Sequence, residues 1–185
     1  MPRPHQHQRT GLRRLLLLCI GLVLLHSAPA LAVPMQNDPN GFEGIPWGAA
    51  FSETADFALV ENSSLVKGYE LKAGPPPLGS ATVDAMRFLT IEEQFARVTI
   101  RYHGKETHQQ IVNYLQSTYG PLDRTPGQFS KGTVQQLNWR GTDTQIILTY
   151  DTHADRGIIF FENPLLATRI EAGMAPESDL GGATY

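Results

Sequence analysis

Three residues near the middle of the chain carry the most obvious potential for chemistry. His103 and His108 bracket Glu106, and Glu92-Glu93 lie a short way upstream. Imidazole and carboxylate together suit zinc or another divalent ion, so His103, His108 and Glu106 form a candidate metal set. The spacing is neither H-E-x-x-H nor its inverse. The alternative is a solvated turn between a strand and a helix. Asp151, His153 and Asp155 offer alternate oxygen ligands ahead of Gly157. They lack the order, turn glycine and terminal glutamate of a calcium loop, and a polar β-turn explains the same letters. No G-x-S-x-G, S-x-x-K or glycine-rich phosphate loop occurs, so neither a nucleophilic serine nor a nucleotide site is indicated. No cofactor is implied.

A second candidate is a surface. Arg97, Thr99, Arg101 and His103 alternate with Ala96, Val98, Ile100 and Tyr102, which places them on the polar face of a strand. If neighbouring strands cooperate, Arg87 and Arg140 join that face. Clustered guanidinium groups favour a carboxylate, phosphate or sulfated partner. The alternative is outward polarity on a half-buried sheet, each arginine paired with a nearby acid. Trp47, in Ile45-Pro46-Trp47-Gly48, is either an interface anchor or a residue that closes the core.

The elements that must position these residues are partly visible. Ile111, Leu115 and Tyr119 recur every four residues beside Val112, a helical stripe. Thr107 with Gln110 reads as a capping box, and Gly120-Pro121 as a stop. A helix over Thr107 to Tyr119 follows. Alternation then predicts strands through Leu137 and Trp139, through Ile146, Leu148 and Tyr150, and over Ile158 to Phe161, joined by short turns into an antiparallel meander. The first half offers a fainter copy: a short helix from Ser52 to Val60, then strands over Gly68 to Lys72, Val83 to Thr90 and Phe95 to His103. The expected class is α+β, an antiparallel sheet with one or two helices on a face, and the order admits two α-β-β-β units.

The ends define the setting. Arg3, Arg9, Arg13 and Arg14 precede the apolar run Leu15 to Leu25, and Ala30-Leu31-Ala32 is a small-x-small cleavage site, the three parts of a secretory signal. The apolar run falls short of the roughly 20 residues a spanning helix needs. Residues 1–32 are therefore expected to be removed, 33–41 to form a linker, 42–170 a single domain and 171–185 a flexible acidic tail. Cleavage leaves 153 of the 185 residues and removes Cys19, the one cysteine. Disulfides and thiolate sites are excluded from such a product. The 15 basic residues less those four arginines leave 11 against 18 acidic ones, a net charge of −7, which argues against nucleic acid as a partner.

Gly44-Ile45-Pro46-Trp47-Gly48, Tyr119-Gly120-Pro121 and Trp139-Arg140-Gly141 ahead of a terminal meander resemble small exported bacterial proteins. The resemblance covers about residues 42 to 166 and implies a periplasmic setting, without any activity or catalytic residue. The function expected from these readings is a non-enzymatic module, periplasmic or secreted, that contacts an envelope protein or anionic ligand. Rival readings are a metal-dependent hydrolase built on His103 and His108, and a sensor domain for a small ligand held between helix and sheet.

Overall fold

The computed structural model describes residues 34–122 and 129–174. Its strands are β1 (Gly41–Phe42), β2 (Ile45–Pro46), β3 (Phe57–Asn62), β4 (Val66–Leu71), β5 (Ala85–Ile91), β6 (Gln94–His103), β7 (Phe129–Lys131), β8 (Val134–Arg140), β9 (Gln145–Asp151) and β10 (Arg156–Glu162). Helix α1 (Lys105–Tyr119) follows β6, and α2 (Pro164–Met174) follows β10. Strands β3 to β10 form one antiparallel sheet in the order β3-β4-β5-β6-β10-β9-β8-β7. Each half is a four-stranded meander, and the halves meet where the last strand, β10, pairs with β6. The class is α+β, as the hydrophobic periodicities indicate.

Alternation along the strands sorts the side chains onto two faces. One face carries Phe88, Val98, Ile100, Tyr102, Ile159, Phe161, Leu148, Tyr150 and Trp139, all in the main core. Over β8 to β10 it is covered by α1, whose Ile111, Val112 and Leu115 are buried. Gly120 ends that helix at φ 93°, and its carbonyl accepts from Trp139 Nε1 at 3.0 Å. At the other end Gly104 occupies the N-cap with no side-chain capping bond, so the Thr107–Gln110 box does not form. Helix α1 has its N-cap at Gly104, three residues before the Thr107 that the box would make the cap.

Over β3 to β6 the same face is covered by a strap of chain rather than a helix. Phe42 packs edge-on against Phe88 and Phe161, Trp47 stacks on Phe95 at 4.8 Å, and Phe51 contacts Phe57, Tyr69, Phe88 and Phe95. The short helix expected from Ser52 to Val60 is absent, and Phe57–Asn62 is the edge strand β3. With that face already filled by aromatic side chains, a helix there has nothing to bury. Residues 34–41, expected as a linker, belong to the strap. Met35 is buried, and its N–H donates to the Arg140 carbonyl. The Asp38 carboxylate accepts backbone N–H groups from Thr142, Asp143 and Thr144 in the β8–β9 turn.

Helix α2 packs on the opposite face, where Ile170 joins Val66, Leu89, Ile91 and Ala96. Asn163 caps it, Oδ1 accepting from Leu165 and Leu166 N–H at 3.1 Å, with Pro164 at the first helical position, an arrangement that suits both residues. A bulge at Ala96, where Leu89 pairs with Arg97 but Thr90 with Phe95, moves Ala96 to this second face. The reading that put Ala96 beside Val98 is corrected by that extra residue. With no helix among the described residues ahead of β3, the two α-β-β-β units are not formed. The segment expected as a secretory signal lies outside the described residues; of the expected tail 171–185, residues 171–174 belong to α2, with Glu171 paired to Arg97, and the rest lies outside them. No helix among the described residues is long and apolar enough to cross a membrane.

Candidate functional site

The first turn of α1 stands over the ends of β8 and β9 and leaves a cleft of about 790 Å³. Lys105, Glu106 and Gln109 line it from the helix, Gln135 and Tyr150 from the sheet, and Thr152 and Asp155 from the β9–β10 turn. Its walls are thus mostly hydrogen-bonding groups of both senses.

At its base lies an aromatic cluster. His108 stacks on Tyr150 with ring centroids 4.0 Å apart and planes 8° from parallel, and Tyr102 lies parallel to both. The Tyr102 hydroxyl and His108 Nδ1 are 2.8 Å apart. Burial pushes the Tyr102 phenol well above its ordinary range, with Tyr150 adding to the effect, so it keeps its proton and can donate. Burial pushes His108 down, against a hydrogen bond to Gln135 that pulls it up. A neutral imidazole that accepts at Nδ1 and carries its proton on Nε2 satisfies both partners, and we assign that tautomer. Tyr150 donates its hydroxyl to Asp155, and that bond, more than burial, raises the phenol to about 12. Gly157, paired with Tyr102 on one side and Tyr150 on the other, makes room for the cluster. A Cβ there would fall on the Tyr102 ring.

The metal set does not assemble. His103 lies on the opposite face of the sheet from Tyr102 and His108, its Nδ1 2.7 Å from Asp84. That carboxylate raises its pKa through the hydrogen bond and its charge. Glu106 is on the rim of the cleft. Among the described residues no group of three His, Cys, Asp or Glu side chains is arranged to hold a metal. Glu92 and Glu93 form the tight β5–β6 turn at φ 50° and 67° and pair with Arg169 and Lys67. Asp151 accepts from the His153 and Ala154 N–H groups, the local bonding of a β-turn.

Nor do the arginines act as one surface. Arg97 is buried, bonded to Glu162 at 2.6 Å and to Glu171 at 3.3 Å, and lies over the Phe160 ring. Arg87 is held between Glu61 and Glu70. Arg140 is exposed at the far end of β8, and Arg101 is exposed near the end of β6. Trp47 is enclosed in the core, its Nε1 donating to Thr144 Oγ1 at 2.8 Å. Sequence reasoning missed Tyr102, Tyr150 and Gln135 as site residues. Their alternation marked them as sheet positions, but no local signal tied them to His108.

No family model matches the chain, and no curated protein or solved structure matches it significantly.

Proposed function

We propose that the chain is a non-catalytic, exported binding module whose cleft between α1 and the β8–β9 end of the sheet takes a small polar ligand. The observation that carries this reading is the cleft itself: a concavity of about 790 Å³, in the size range of small-molecule sites. The bonding at its base supports binding over proton transfer. A general base needs a lone pair that faces the substrate, whereas the His108 Nδ1 lone pair is taken by the Tyr102 hydroxyl and the assigned tautomer leaves Nε2 protonated. The polar wall groups are left to recognise the ligand. The segment from Arg3 to Ala32 supports placing this module outside the cytoplasm.

The test is protein-observed NMR with a panel of amino acids, dicarboxylates and monosaccharides. Binding should shift the amides of Lys105, Gln109, Gln135 and Thr152 together. Gln109→Trp, which fills the cleft from its exposed wall, should abolish those shifts without lowering Tm. Shifts that survive Gln109→Trp, or a panel that moves none of these amides, would refute the proposal.

A further inference from the structure

On the opposite face, at the end where β6 meets β10, Asp84, Ala85, Arg101, His103, Arg156 and Gly157 enclose a separate pocket of about 380 Å³. Arg156 pairs with His103, and Arg101 with Ile158 two residues along β10. The two arginines are therefore diagonal neighbours on adjacent strands, about 7–8 Å apart at the backbone. Side chains of that length can converge on one group between them. Ala85, paired directly with Arg101, adds only a methyl group to this face and keeps the space open.

The arginines of the fold differ in their partners. Arg87, Arg97 and Arg169 are each matched by one or two glutamates. Arg101 and Arg156 have no ion-pair partner among the described residues. The one carboxylate in the pocket, Asp84, is already held by His103. Two unmatched guanidinium groups side by side repel each other, and a shared oxyanion removes that repulsion while accepting forked hydrogen bonds from both.

We propose that this pocket binds an oxyanion group, a phosphate, sulfate or carboxylate, clamped by Arg101 and Arg156 with His103 at its rim. It is distinct from the cleft beneath α1 and does not depend on what that cleft holds.

The experiment is a thermal-shift and NMR titration of the intact protein with inorganic phosphate, sulfate and acetate, each against chloride at equal ionic strength. At least one of the three should raise Tm through linkage and move the amides of Arg101, His103 and Arg156. Response to the tetrahedral ions alone identifies a phosphate or sulfate group, and response to acetate as well extends the class to carboxylates. Arg101→Gln with Arg156→Gln should weaken binding about tenfold or more. Arg140→Gln, an exposed arginine at the other end of the sheet, should leave it unchanged. No response beyond chloride overturns the proposal. So does equal loss in Arg140→Gln, or full retention in the double variant. Since both pocket arginines are exposed, their Tm in chloride should match that of the parent, which separates lost binding from lost folding.

Discussion

Replacing Gly157 with alanine adds one methyl group to a buried strand, yet the structure makes it one of the costlier substitutions available. The new Cβ would lie well inside the 3.0 Å below which real Cβ contacts essentially never occur, against Tyr102 Cζ, Cε1 and the hydroxyl. Tyr102 is 1 % exposed, so it has little free space to move into. Overpacking of this kind costs about 1–3 kcal/mol. Displacing the ring also breaks its bond to His108 and leaves a buried acceptor unsatisfied, about 1–3 kcal/mol more. Together these give about 4 kcal/mol, a fall of about 2 M in the urea midpoint at a typical slope of about 2 kcal/mol per M. Fluorescence of the buried Trp47 and Trp139 reports the transition. The decisive comparison is a double-mutant cycle. Tyr102→Ala alone should cost about 3–5 kcal/mol, but on that background Gly157→Ala should be nearly neutral because the clashing ring is gone. An equal cost of Gly157→Ala on both backgrounds, or a midpoint shift under about 0.3 M in the parent, would refute the packing argument.

Arg97→Ala should destabilise by about 3–5 kcal/mol because it strands the Glu162 carboxylate in the interior, whereas Arg97→Met with Glu162→Leu should fall within about 1 kcal/mol of the parent; chemical denaturation of both variants distinguishes a structural pair from a partner-facing arginine. The buried His108 makes stability pH-dependent. Its pKa is lower folded than unfolded, so its contribution is complete above the unfolded value of about 6.5 and is lost as pH falls through the lowered folded value. Tm should therefore decline from pH 7 to pH 5, and His108→Gln should flatten part of that decline. Exposed His103 works in the opposite sense: raised by Asp84, it favours the fold at low pH and loses that effect as pH climbs through its folded value. Proton NMR titration should show Asp84→Asn lowering the His103 pKa.

What could be read in advance depended on how local each signal was. The α1 stripe of Ile111, Leu115 and Tyr119 and the Gly120 stop act within one helix, and the β8–β10 meander needs only alternation and short turns. The Ser52–Val60 segment misled because its conformation is decided by the strap that packs on β3 to β6, not by its own residues. Helix α2 did carry a local signal, Asn163-Pro164 ahead of an alanine- and leucine-containing run, but the glycine-rich residues behind it concealed the pattern. The site was less legible. Placing Arg97 and Arg101 on one face follows from alternation. That Glu162 faces Arg97 while Arg101 faces Ile158 follows from the β6–β10 register, which joins strands about sixty residues apart and has no sequence signature. The same pairing brings Gly157 beneath Tyr102, and helix docking then adds His108. The aromatic cluster is thus a property of the assembled sheet.

The position of β10 sets the order in which this molecule can complete itself. Because β10 lies between β6 and β9, the strand made last is the one that joins the two meanders. The Asp38 clasp likewise waits for residues 104 to 106 positions further along the chain. A growing or threading chain must therefore carry β6 as an unpaired edge, with Phe42 lacking its Phe161 partner, until nearly everything has emerged. Non-local closure of this kind slows folding, and an open strand edge invites pairing with other chains. A helper that covers the β6 edge during that interval, or an internal deletion of β10, would change the yield of folded protein far more than the loss of seven residues suggests.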